Sequence, residues 1–201
     1  MELKETIKLL IKNRFEITFF VLLGLIVSTV IYMLPQKYIS SGTFYISRIT
    51  GSNSEFFTYE GYYGQQTALS YTNTVAALLE NTDLRSKAMK NLGITIDELT
   101  LRRVQKLISI KKDGPQLITL TVKGRNYDES RNLWESLSKS LMETTTEINM
   151  RGDPNLSITK ISAEPVVKLE YRSLWLNLSA GFGLGLALGI VFISFKEYLK
   201  K

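Results

Sequence analysis

Two long apolar runs, one near each end of the chain, constrain this sequence more than anything between them. The later run, Leu174 to Phe195, holds 22 residues; as a helix rising about 1.5 Å per residue it covers roughly 33 Å, enough for a hydrocarbon core of about 30 Å. Its only side chain more polar than serine is Asn177. Gly181, Gly185 and Gly189 recur every fourth residue along it with Gly183 beside them, which leaves a shallow groove where Gly24 and Ser28 of the earlier run, or a neighbouring subunit, can approach. The earlier run, Ile17 to Leu34, is 18 uncharged residues bounded by Arg14 and Glu16 on one side and by Pro35, Gln36 and Lys37 on the other. Gly24 and Ser28 form a small-xxx-small pair on it. A secretory signal peptide is the rival reading, but the run is longer than the usual apolar core of such a signal and no A-x-A-like cleavage site follows.

Two spans place both termini on the same side of a membrane. Lys4, Lys8, Lys12 and Arg14 precede the first run, Arg172 stands just before the second, and Lys196, Lys200 and Lys201 follow it. The positive-inside tendency then puts both ends in the cytoplasm and residues 35–173 outside, since a long loop crosses regardless of its charge. The expected organisation is an amphipathic cytoplasmic segment over 1–16, a span over 17–34, an extracytoplasmic domain over 35–173, a span over 174–195 and a basic tail over 196–201. In the first segment Leu3, Ile7, Leu10, Ile11 and Phe15 share one helical face and the lysines take the other.

The net charge of +6 raises the question of nucleic acid, and its distribution answers it. The middle, residues 35–173, carries 18 basic and 15 acidic side chains that alternate as a solvated surface does, without the clustered basic stripe that tracks phosphates. No nucleic-acid partner is expected. Cysteine and histidine are both absent, which removes disulfides, thiol nucleophiles, histidine bases and the usual transition-metal ligands.

The middle reads as an α+β domain of about four strands with helices gathered on one face. Tyr38 to Arg48 is a strand in which Phe44 and Ile46 alternate with Thr43, Tyr45 and Ser47. Apolar positions Ala68, Tyr71, Val75, Leu78 and Leu79 fit a helix face, and a second short helix follows with Thr82 as N-cap and Gly93 as stop. A third opens at Thr95 and Glu98, which have capping-box spacing. Leu107 to Lys112 and a returning strand with Ile118, Leu120 and Val122 flank Asp113, Gly114 and Pro115, a hairpin. Asn126 and Glu129 open the best helix, with Leu133, Trp134, Leu137, Leu141 and Ile148 as its apolar stripe. Leu156 to Ser162 is the last strand, and Ala163, Glu164 and Pro165 lead back toward the membrane.

Between the first strand and the first helix, residues 51–66 read as a loop in which Gly51, Gly61 and Gly64 separate Phe56, Phe57, Tyr59, Tyr62 and Tyr63. Such rings can stack on sugars, or pack on their own domain, the bilayer surface or a neighbouring subunit. The carboxylates Asp83, Asp97, Glu98, Asp128 and Glu129 fall at helix starts, where the helix dipole favours them. There is no phosphate-cradling G-x-x-x-x-G-K-[ST] loop, and neither apolar run contains an ionisable group for an ion path. No catalytic residue, cofactor or metal site is expected, and a membrane scaffold fits better than an enzyme or transporter.

The order of ELKETIKLLIKNRFEITFFVLLG entering the first span, YISSGTFYISR beyond it, a helical outer domain, then ISAEPVV and a glycine-rich second span with a basic tail resembles the Wzz-type chain-length determinant family, the polysaccharide co-polymerases. The resemblance implies a homo-oligomeric ring in a bacterial inner membrane that sets the length of O-antigen, capsule or exopolysaccharide, with a polysaccharide polymerase or the growing glycan as partner. The outer domain is short, and short forms resemble the membrane adaptors that activate a cytoplasmic tyrosine kinase through their tail, here Lys196, Tyr198, Lys200 and Lys201. Tyr198 also fits a plain interfacial anchor. A two-span sensor of an external ligand is the third class.

Overall fold

The computed structural model describes residues 11–49 and 59–199. Most of the amphipathic stretch expected over 1–16, together with Phe56, Phe57, Lys200 and Lys201, lies outside the described residues. The chain divides into two compact units, Gln36–Glu170 and a unit made of both terminal segments.

In the first unit the alternation over Tyr38–Arg48 produces β1, and the sheet is assembled on it. Its whole first part pairs antiparallel with β3 (Leu117–Gly124), from Tyr38 opposite Gly124 to Tyr45 opposite Leu117. β2 (Ile108–Gly114) pairs with β3 through the expected hairpin. On the other edge of β1, β4 (Leu156–Lys160) covers only Phe44 to Arg48. The rest of that edge, Tyr38 to Ser41, is taken by a fifth strand, β5 (Val166–Leu169), where the sequence shows only a lead back toward the membrane. β5 has no alternation to reveal it: Val166 and Leu169 are both exposed. It forms because the short β4 leaves backbone donors and acceptors of β1 unpaired. Glu170 N–H then donates to Lys37 O at 2.8 Å, and Lys123 Nζ donates to Glu170 Oε1 at 2.6 Å.

The described residues of this unit form four helices, α1 (Tyr59–Glu80), α2 (Thr82–Asn91), α3 (Glu98–Leu107) and α4 (Tyr127–Arg151). α1 starts at Tyr59, well before the apolar stripe that reveals it; Gly61 and Gly64 are helical rather than loop residues, because their intrinsic cost of about 1 kcal/mol each is a weak prior against a continuing packed helix. Two expected caps move by a residue or two. Asn81, not Thr82, accepts the Asp83 amide at 2.7 Å, and Asp97, not Thr95, accepts the Thr100 amide at 2.7 Å. In each case the capping oxygen belongs to the extended residue that places it under the free amides. At α4 the expected pair holds: Asn126 Oδ1 accepts the Glu129 amide and Glu129 Oε2 accepts the Arg125 amide, both at 2.7 Å. Gly93 ends α2 with φ of +68°, and the Ile94 and Gly93 amides return to Met89 and Lys90, a Schellman closure.

Phe44, Ile46, Ile118, Leu120 and Val122 form the buried face of the sheet, under Tyr71, Val75, Leu79, Leu133, Leu137 and Leu141 from the helices. The opposite face is polar, with Thr43 hydrogen-bonded to Thr119 at 2.8 Å and Ser41 to Thr121 at 3.2 Å. Ile148, expected on the apolar stripe of α4, is instead exposed; the line Leu137, Leu141, Thr145, Asn149 turns inward at every fourth residue. Asn149 is tolerated there because it is satisfied twice, accepting from Tyr71 Oη at 2.6 Å and donating to Leu156 O at 2.9 Å. Trp134, 1% exposed, stacks on Phe44 at 5.9 Å and donates from Nε1 to Leu120 O at 3.0 Å.

Gly42 makes room for that indole: a Cβ there would lie 2.3 Å from Trp134 Cζ2. Gly42→Val should therefore lower stability in chemical denaturation by about 1–3 kcal/mol, the usual cost of overpacking a core. The loss should be less than additive when combined with Trp134→Ala, because the two residues share one space. Equal loss in both backgrounds would contradict this packing.

The second unit contains α5 (Arg14–Met33) and α6 (Leu174–Tyr198). Only 6% and 22% of their apolar windows are buried. The core helix of a water-soluble protein is mostly buried, so two helices that expose Phe15, Phe19, Ile26, Leu184, Val191 and Phe195 are candidate membrane spans by length and composition. Their hydroxyls stay within their own helix: Thr18 donates to Arg14 O, Thr29 and Ser28 to Leu25 O, and Ser179 to Leu176 O. α6 runs past Phe195 to Tyr198, so Lys196 and Tyr198 belong to its last turn rather than to a separate tail.

Candidate functional site

The small residues of the two terminal helices meet each other. α5 and α6 run antiparallel, with Gly189 against Ile17, Gly185 against Phe20 and Val21, and Gly181 against Gly24 and Ser28. A Cβ on Gly24 would stand 2.4 Å from Gly181 O, and one on Gly185 would stand 2.6 Å from Phe20 O. Backbones this close leave no space for a side chain, and the contact surface they create is van der Waals packing of main chain on main chain. Gly183 has open space where a Cβ would be: it lies two residues, about 200° of helix rotation, away from its neighbours in the series and takes no part in the seam.

Each end of the pair is held by a charged side chain. Lys196 Nζ donates to Glu16 Oε1 at one end. At the other, Arg172 Nη1 donates to Ile31 O at 3.2 Å and Leu34 O at 3.0 Å, adding a charged donor to the carbonyls at the C-terminal end of α5, where Ile31 O also accepts the Leu34 amide at 3.4 Å. Lys196, expected as a contact for a cytoplasmic partner, is thus occupied within the chain, whereas Tyr198 is exposed. Sequence inspection counts Glu16, Arg172 and Lys196 only as flanking charges. Their pairing follows once the two runs are taken as an antiparallel hairpin, because Glu16 and Lys196 then fall at the same depth. Phe20 and Phe192, whose rings lie 5.1 Å apart, carry no sequence signal that separates them from other apolar positions.

One side of the seam opens into a cleft of about 250 Å³ between Leu23, Val27 and Ile31 of α5 and Asn177, Leu184 and Leu188 of α6. The Asn177 amide reaches this cleft with no hydrogen-bond partner for its side chain among the described residues.

Of the expected aromatic group, Tyr59, Tyr62 and Tyr63 lie in the first five residues of α1, all exposed. They share one helix face by their three- and four-residue spacing. Tyr62 and Tyr63 meet edge to face, centroids 5.8 Å apart and planes at 73°, so they make a notch of rings rather than a flat platform.

Several charged side chains in the Gln36–Glu170 unit form ion pairs. Arg48 Nε donates to Asp153 Oδ2 at 2.7 Å, Arg131 reaches Glu135 and Glu164, and Lys87 reaches Glu143. The Arg48 hydrogen bond is the main cause holding the Asp153 carboxyl below its usual range. Burial pushes the Tyr71 hydroxyl up and the Arg85 guanidinium down; Arg85 Nε still donates to Leu79 O at 3.0 Å, closing the end of α1. Among the described residues no three carboxylates converge as a metal would need. No family model matches the chain, and no curated protein matches it.

The seam can be checked in the full chain, which has no cysteine of its own. A Cβ on Gly189 would be 3.5 Å from the Phe20 Cβ, within disulfide range, so Phe20→Cys with Gly189→Cys should cross-link within one chain on oxidation. Adding Gly185→Leu should cut that yield several-fold, and adding Gly183→Leu should leave it unchanged. Equal yields from both would remove the glycine seam.

Asp153 gives a pH signature. Its folded pKa is depressed, so its contribution is present above the ordinary carboxylate value near 4 and is lost as pH falls through the lower folded value. Asp153→Asn should melt below the wild type at pH 7, with the gap closing as pH drops under about 4. A gap that stays constant to pH 3 would show that the Arg48 pair contributes nothing.

Proposed function

We propose that this protein is a non-catalytic two-pass scaffold of a bacterial cytoplasmic membrane that assembles with copies of itself and regulates the chain length or export of a surface polysaccharide. The supporting observation is the antiparallel glycine-seamed pair of apolar helices at the two ends of a chain whose Gln36–Glu170 segment folds on a core of its own. A cleaved signal peptide has no reason to be fitted residue by residue to a helix at the opposite end of the chain; a permanent first span does. The element order that resembles the polysaccharide co-polymerases supplies the polymer class.

In this reading both termini are cytoplasmic and residues 35–173 are outside. Helix pairs join laterally in the bilayer, where Asn177 in an otherwise apolar cleft favours association with a neighbour that offers a partner for its amide. The outer domains come to stand side by side around the polymerase or growing chain, and their spacing biases when elongation stops.

Deleting the gene should shift the modal length or the amount of surface polysaccharide on a gel, and the wild-type gene should restore it. A reporter joined after Lys201 should be active only inside the cell. An unchanged ladder would overturn the chain-length role, and a reporter active only outside would overturn the topology.

A further inference from the structure

A second cleft, of about 270 Å³, lies in the Gln36–Glu170 unit and is lined by side chains that the fold does not use. Phe44 and Ile46 turn into the core, so Tyr45 and Ser47 point the other way from β1. Gln116 joins them from the β2–β3 turn, which is fixed to β1 by the Ile46 amide donating to Gln116 O at 2.9 Å. Gln65 comes from the second turn of α1, and Gly61 and Gly64 beside it contribute no side chain that would fill the space.

Among the described residues, the Tyr45 and Ser47 hydroxyls and both glutamine amides have no side-chain hydrogen bond. Each of these four groups can donate and accept. Arg48 also borders the cleft, but Asp153 neutralises its charge across 2.7 Å. Among the described residues a phosphate or carboxylate would find no free cation there. The surface instead complements a ligand whose neighbouring hydroxyls alternate donor and acceptor, with the half-exposed Tyr45 ring offering a face for apolar C–H groups. At about 270 Å³ the cleft is smaller than the roughly 300–1,000 Å³ that encloses a whole small molecule, and suits one ring of a longer chain.

We propose that Tyr45, Ser47, Gln65 and Gln116 form a binding site for a neutral saccharide unit within a polymer. The site deepens the reading of the protein as a polysaccharide scaffold and rests on it for the polymer class: it is the place where the scaffold holds the growing chain. Tyr62 and Tyr63, which lie between the two glycines in α1, extend the surface for further sugar rings.

The test uses the full chain in lipid nanodiscs on a printed array of neutral and acidic bacterial oligosaccharides. Wild type should retain neutral glycans, and Gln65→Ala with Gln116→Ala should lower that signal at least tenfold while the melting temperature holds. Gln65→Ala alone changes only an exposed helix position and should lower the signal several-fold even where the double variant folds poorly; Lys87→Ala, elsewhere on the domain, should not change it. Retention of no glycan, of acidic glycans only, or of neutral glycans equally by wild type and Gln65→Ala would overturn the site. A ladder that responds to gene deletion without neutral-glycan binding would sink the cleft and leave the scaffold reading standing. Neutral-glycan binding lost with Gln65→Ala, alongside a ladder indifferent to deletion, would uphold the cleft and sink the chain-length role.

Discussion

The contact of the Trp134 indole with β1 at Gly42 is the constraint on which the Gln36–Glu170 unit depends. β1 pairs directly with β3, β4 and β5, and β2 is attached through β3. Trp134 lies flat on the same strand, stacked on Phe44, donates to the β3 carbonyl of Leu120, and has Lys160 of β4 over its ring at 5.6 Å. One side chain thus ties the longest helix of the unit to three strands at once. The arrangement requires a residue without a Cβ at position 42 and a polar atom on the ring edge, which is why a large apolar residue without an N–H could not replace the tryptophan without leaving Leu120 O a poorer partner.

The pair of terminal helices is held by different physics. In the two-pass reading proposed above, burial of apolar area among lipid tails would supply little preference for one greasy neighbour over another, so close main-chain packing and polar contacts would decide which helices associate. The glycine seam supplies the first. Glu16 with Lys196 and Arg172 with the last carbonyls of α5 supply the second, placed at the two ends where charged groups can reach water. Between these ends the hydroxyls turn back on their own helices, and Asn177 is the exception that faces the cleft.

The scaffold reading and the saccharide cleft share a chemical logic. A domain that handles a hydroxylated polymer without breaking its bonds needs neutral hydrogen-bonding groups and ring faces more than activated nucleophiles. At the polar cleft the bordering charge, Arg48, is paired with Asp153, and the other polar groups lining it are amides, hydroxyls and a tyrosine ring. Weak contacts of this kind gain strength by repetition, as when many copies face one long chain.

The apolar runs, the alternation of Phe44 and Ile46, the hairpin around Asp113 and Gly114 and the Asn126 start of the longest helix were all legible in the sequence. Each is a local pattern set by backbone periodicity or by a side chain bonding its own helix end. Gly24, Ser28, Gly181, Gly185 and Gly189 were legible as packing residues too, because a four-residue spacing lines them on one face. Their partner was legible only as an alternative between the other span and a neighbouring subunit: the fold of the hairpin decides that these faces meet each other within one chain and that Gly183 looks away. The fifth strand depended on an edge of β1 that β4 happened not to cover, and the helical start at Tyr59 on contacts that outweigh two glycines. The polar cleft draws Tyr45, Gln65 and Gln116 from a strand, a helix and a turn, and no spacing along the chain marks residues that only long-range packing brings together. Local periodicity therefore determined which faces are apolar, small or polar, and tertiary structure alone decided what each face meets, since that is fixed by the complementary surface of another segment.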